Sequence, residues 1–110
     1  MFKIQTLNKI SPKGLERFPR DEYEVASEIN NADAILVRSQ DMHGMTLPAG
    51  LKAVARAGAG TNNIPIDELS AKGVVVFNTP GANANAVKEL ALLGLLLSSR
   101  PVFAANAWVK

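Results

Sequence analysis

Apolar residues fall in short runs, set apart by polar stretches that carry glycine, proline or asparagine. Phe2 to Leu7 alternates apolar and polar positions, which predicts a first strand. Ala34–Val37, Leu51–Ala55 and Val74–Phe77 are apolar runs with β-branched content, the second broken only by Lys52. Such runs fit strands covered on both faces, as in a parallel sheet. The first two of these runs stop at an arginine, Arg38 and Arg56. Tyr23 to Ala26 is a weaker strand candidate. Between the runs, Ser11–Phe18 reads as a short helix or turn, with Ser11 placed to cap it and Pro12 suited to the first helical position. Ser27–Asn31 reads as one helical turn. Pro65–Lys72 is a short helix that starts near Asn63 and stops at Gly73, and Asn78-Thr79-Pro80-Gly81 is a turn. The longest helix runs from Asn83 or Asn85 to Ser99, capped by asparagine and closed by Arg100-Pro101. The alternation of strand and helix predicts an α/β fold: an open, mostly parallel sheet with helices on both faces.

The long helix changes that picture. Val87, Leu90, Ala91, Leu93, Leu95 and Leu97 cover more than one stripe of its surface, so it needs cover on several sides. With 110 residues, 47% of them apolar, the chain can build one core but has little left to bury such a helix alone. A missing partner is expected. Residues 90–97, eight in number, are the most apolar segment, well short of the roughly 20 that a membrane span requires.

Charge and cysteine content remove whole classes of chemistry. Twelve basic residues stand against ten acidic ones without a basic block, which argues against a nucleic-acid surface. There is no cysteine, so a disulfide framework, a zinc–thiolate cluster and a thiol nucleophile are all excluded. The amino-terminal residues lack a hydrophobic run followed by a small-residue cleavage pattern, and a cytoplasmic location is the expectation.

Candidate chemistry gathers after the strand at Leu51–Ala55, where residues 58–63 read Gly-Ala-Gly-Thr-Asn-Asn. A dinucleotide fingerprint needs a third glycine and an acidic residue about 20 positions on. Here Asn63 replaces the glycine, and the next strand ends at Phe77-Asn78. A small anion is the better reading. Both Arg38 and Arg56 close strands of the sheet, and ligands of open parallel sheets lie beyond the carboxyl ends of the strands. The glycines let the backbone approach a ligand and expose its amides, while an arginine fork matches a carboxylate or phosphate. The competing reading makes both arginines solvated strand ends and the glycines plain turn formers.

His43, the only histidine, sits beside Asp41 in a loop without the spacing of a metal site. The acidic cluster Asp21, Glu22 and Glu24 reads as a solvated edge, and Ser98-Ser99 has no base at useful spacing. A receiver-type module would need aspartates where Arg38, Arg56 and Asn78 stand. A pure interaction domain, docking through the leucine-rich helix, remains open.

The stretch from about Ala34 to Trp108 resembles the D-2-hydroxyacid dehydrogenase family. The resemblance rests on Val37-Arg38-Ser39, on Arg56-Ala57-Gly58-Ala59-Gly60 with Asn63, and on Asn78-Thr79-Pro80 followed by Asn83 and Glu89. It implies a flavodoxin-like substrate domain over residues 1–82. Residues 83–110 would then be an interdomain helix and the start of a separate nucleotide-binding domain. The family's own G-x-G-x-x-G and its catalytic arginine, glutamate and histidine come later than this stretch, so the chain by itself is expected to be inactive. The resemblance places Arg38 and Ser39 on the substrate's phosphate or carboxylate, with Arg56 nearby. It turns the amides of Ala57, Gly58 and Ala59 to a substrate carboxylate, sets Ala59 near the nicotinamide of NAD, and makes Asn83 a substrate contact. Glu89 is read as an ion pair or hydrogen bond within the helix region. A homo-oligomer is implied for the full-length enzyme, with Trp108 leading toward its interface. Asn62, Pro65 and Lys88 depart from the family pattern.

Overall fold

The computed structural model describes residues Met1–Lys110, which fall into two compact units, Met1–Pro80 and Gly81–Lys110. The first unit is built on five strands: β1 (Phe2–Thr6), β2 (Tyr23–Ala26), β3 (Ala34–Val37), β4 (Ala53–Arg56) and β5 (Val75–Phe77). They form one sheet in the order β2-β1-β3-β4-β5, and every pairing is parallel. Helix α1 (Pro12–Leu15) connects β1 to β2, and α2 (Ile66–Ala71) connects β4 to β5. These two crossovers run in opposite directions across the sheet, so right-handed connections put their helices on opposite faces. The chain reverses its direction of travel between β1 and β3, and in this strand order that point is where ligands bind.

The helical turn expected over Ser27–Asn31 does not form; that segment only bends. It must carry the chain from β2 past β1 to β3, and a helix, advancing about 1.5 Å per residue, would leave too little reach. Asn31 turns it with φ 56. Asp33 then fastens it to β1, accepting from the Lys3 amide at 2.8 Å through Oδ2 and donating its own amide to the Lys3 carbonyl at 2.8 Å.

One face of the sheet carries the main core. Register sets Ile35 beside Val54 and Val54 beside Val76. Ile35, Val37 and Val54 are fully buried there with Met42 from the β3–β4 loop and Leu69 from α2. Leu69 is the one buried residue of its helix. Its carbonyl accepts from the Val74 amide at 2.9 Å, which ties the helix end to the entry of β5. On the other face Ile4 is buried, but β5 is an edge strand whose Val75 and Phe77 are more than half exposed. The expectation of cover on both faces therefore fails at β5.

The second unit comprises α3 (Ala84–Ser98) and α4 (Val102–Val109), which meet at a bend of 66°. Helix α4 was not apparent from the sequence pattern. The break between them has a local cause: the hydroxyls of Ser98 and Ser99 donate to the carbonyls of Leu95 and Leu96 at 2.6 and 3.0 Å, and Pro101 has no amide to continue the ladder. The expected asparagine cap is absent, because the Asn83 side chain makes no capping hydrogen bond. Instead the Ala84 amide donates to the carbonyl of Gly81, which takes φ +80. No residue of either helix is buried, and Leu90 and Leu95 are 69% and 68% exposed. No single helix is long and apolar enough to cross a membrane.

Candidate functional site

At the carboxyl edge of the sheet β3 and β4 end side by side, with Val37 paired to Arg56. Two asparagines fix the segment that leaves β3. Asn8, just past β1 and left-handed at φ 68, accepts through Oδ1 from the amides of Arg38 at 3.2 Å and Gln40 at 2.9 Å. From the other side Asn63 donates through Nδ2 to the carbonyls of the same two residues, at 3.0 and 2.8 Å. The Oδ1 of Asn63 accepts from Arg56 Nη1 at 2.6 Å, and Asn63 is 8% exposed. This side chain thus has both its donors and its oxygen engaged in joining the ends of β3 and β4.

Sequence reasoning did not single out Asn8. The available signal was an asparagine directly after a strand, a residue type that tolerates the left-handed region and bonds nearby backbone. Asn63 was visible as a failed third glycine, as the approach to the helix at Pro65–Lys72 and as part of the family motif, none of which gives it this role.

The glycine loop has a different purpose from the one the sequence suggested. A Cβ at Gly58 would lie 3.1 Å from Arg56 Nε, and one at Gly60 would lie 3.2 Å from Arg56 Nη1. The space is taken by the chain's own guanidinium, so the glycines accommodate Arg56 rather than an approaching ligand. Arg56 Nε is buried without an acceptor. Gly58→Ala is accordingly expected to lower the unfolding free energy by about 1 kcal/mol, since the arginine must move by a few tenths of an ångström. Urea denaturation of the variant checks this; a gain in stability would contradict the packing argument.

The remaining predicted groups are placed as follows. The Ala57 amide donates to the Val37 carbonyl at 2.8 Å and belongs to the sheet, so the expectation that it faces a substrate is corrected. The carbonyls of Gly58 and Ala59 accept from the Thr79 amide at 3.0 Å and Asn78 Nδ2 at 2.9 Å. Held by its carbonyls, the loop leaves the amides of Gly58, Ala59 and Gly60 without a protein acceptor, and the Ser39 amide likewise. The two guanidinium groups take separate partners. Arg38 Nη1 donates to the Lys9 carbonyl at 3.3 Å on an exposed surface, whereas Arg56 folds back on its own loop. Their link is indirect, through Asn63 and the Arg38 carbonyl. Asn83 belongs to the second unit, immediately before α3. There Asn85 Nδ2 donates to Glu89 Oε1 at 3.2 Å.

His43 is exposed, and its Nε2 lies 2.9 Å from the Asn62 carbonyl. A carbonyl can only accept, so this nitrogen donates and the ring ties its loop to the one ahead of α2. Two hollows of the first unit lie away from these groups. One, of about 810 Å³, is lined by Leu15, Phe18 and Tyr23 near α1 and β2; the other, of about 460 Å³, lies by Leu47, Leu51 and Leu69.

The fold and edge define a doubly wound α/β module whose strand ends present free amides and an exposed guanidinium, a combination suited to a small anion. Residues 5–107 match the family model for the D-isomer specific 2-hydroxyacid dehydrogenase catalytic domain, and the chain belongs to that family. A D-3-phosphoglycerate dehydrogenase of Mycobacterium bovis is 40% identical over 93 residues, covering 82% of this chain and 18% of the relative. A hydroxypyruvate reductase of Thermotoga maritima is 36% identical over 104 residues, covering 83% of this chain and 34% of the relative. Among solved structures, the NAD+-bound 3-phosphoglycerate dehydrogenase of Entamoeba histolytica superposes with a TM-score of 0.71 at 27% identity, over 87% of this chain and 38% of that one. The chain thus spans about a fifth to two fifths of the length of these proteins.

Proposed function

We propose that this chain is the substrate-binding portion of an NAD-dependent D-3-phosphoglycerate dehydrogenase, oxidising 3-phosphoglycerate to 3-phosphohydroxypyruvate at the entry to serine synthesis. A cytoplasmic, homo-oligomeric enzyme is part of the same reading. The carrying observation is the shared carboxyl edge of β3 and β4: Arg38 and the free Ser39 amide follow one strand, and the free amides of Gly58, Ala59 and Gly60 follow its neighbour. Phosphate and carboxylate are the groups that such donors recognise. Arg38 supplies the accessible charge, and Arg56 acts mainly by shaping the glycine loop.

NAD itself does not fit the Gly58–Asn63 turn. A pyrophosphate cradle needs open space at the glycines and a helix starting on the loop. Here Arg56 fills the space, and Asn63 is fully committed to protein partners. The cofactor would be held by another part of the enzyme, touching this chain at most near the exposed Ala59.

A titration followed through backbone amide NMR shifts tests the reading. With 3-phosphoglycerate, the Ser39, Gly58, Ala59 and Gly60 amides are expected to move, and Arg38→Ala should weaken binding about tenfold to a hundredfold, the range for hydrogen bonds to a charged group. D-glycerate, lacking the phosphate, should bind less well and lose less. Equal affinity for the two ligands would favour the second reading, a hydroxypyruvate reductase, which the Thermotoga maritima relative supports. No shift at these amides with either ligand would sink both.

A further inference from the structure

We propose that Asn8 and Asn63 are positioning residues: from opposite sides they hold Arg38 and Gln40 so that the amide between them, that of Ser39, is offered to an anion. The inference rests on the anion-binding reading above and goes further, because it assigns roles to side chains that touch no ligand. One asparagine takes both flanking amides and the other takes both flanking carbonyls, at 2.8–3.2 Å. A turn whose polar groups are bonded at residues 38 and 40 but not at the Ser39 amide has one donor left for a ligand. Order at this point has a direct consequence for binding: a donor already fixed in place loses little conformational freedom when the anion arrives.

The arrangement also connects three strands. Asn8 follows β1, the clamped segment follows β3, and Asn63 follows β4 and holds Arg56 at 2.6 Å. The positions of Arg38 and of the glycine loop are therefore set together rather than separately. Asn8 suits its task because it combines a left-handed backbone, φ 68, with a short side-chain acceptor.

Asn8→Gly tests this cleanly, since glycine accepts the left-handed backbone and only the Oδ1 acceptor is lost. In the 110-residue chain, amide hydrogen exchange at Arg38 and Gln40 should accelerate at least tenfold, and affinity for 3-phosphoglycerate should fall about tenfold, while the thermal midpoint moves little. Asn8→Asp keeps an acceptor at the same place and should restore slow exchange at both amides. Wild-type affinity in a folded Asn8→Gly variant would overturn the proposal, as would exchange in Asn8→Asp as fast as in Asn8→Gly. Should Asn8→Gly fail to fold, the exchange rates of Asn8→Asp against wild type decide. A wild-type chain that binds neither 3-phosphoglycerate nor inorganic phosphate would defeat the functional reading and the role given to both asparagines; wild-type binding matched by Asn8→Gly defeats the clamp alone.

Discussion

Asn63→Ala is expected to lower the free energy of unfolding by about 3 kcal/mol. The side chain is 8% exposed and makes three short bonds: two donated to backbone carbonyls and one accepted from a guanidinium. Each such bond contributes roughly 1 kcal/mol net, and a bond to a charged group rather more. Truncation also leaves the Arg38 and Gln40 carbonyls and the guanidinium of Arg56 short of a partner. The Nε of that arginine already has none, so the loss falls on a group with little in reserve. Asn63→Asp is expected to be no better. Its carboxylate would still hold Arg56, but it would face two carbonyls that need a donor. Urea unfolding measures both variants, and a loss below about 1 kcal/mol for Asn63→Ala would mean that water replaces the side chain without cost.

The second large effect lies in the core. Leu69→Ala should cost about 3 kcal/mol, within the 2–5 kcal/mol seen for removing a leucine from a packed interior. Leu69 is fully buried and is the only such residue of α2, so little else keeps that short helix on the sheet. The hollow beside it, shared with Leu47 and Leu51, gives water a way in and argues against the top of the range. Leu95→Ala in α3 is the matching control. Leu95 is 68% exposed, and its truncation should stay within about 0.5 kcal/mol in this chain. Denaturant midpoints for the pair decide the matter; equal losses would show that α3 has a buried surface in solution.

That comparison marks where the hydrophobic pattern is informative and where it is not. The run at Ala34–Val37 was readable because a parallel strand in a core leaves an unbroken apolar signature. Val74–Phe77 carries the same signature and does form a strand, but at the sheet edge with Val75 and Phe77 exposed. Helix α3 carries an equally strong signal, yet none of its residues is buried. Apolarity records that a surface needs cover; it does not say what supplies it. The bend at Ser27–Asn31 was misread because a five-residue stretch looks the same whether or not it has to cross a strand.

The candidate site divides along the same line. That Arg38 and Arg56 close strands, that a glycine turn follows the second, and that the whole resembles the D-2-hydroxyacid dehydrogenases all follow from residue order. Order in the chain fixes strand ends, and in a parallel sheet all strand ends of one kind share an edge. Only the folded chain decided that Arg56 occupies the space over Gly58 and Gly60, that the Ala57 amide belongs to the sheet, and that Asn8 and Asn63 grip the same two residues. Those contacts join positions 20 to 32 residues apart, or turn on a side-chain rotamer. Hydrogen bonds between such groups depend on ångström-scale placement, which no local pattern of residues encodes.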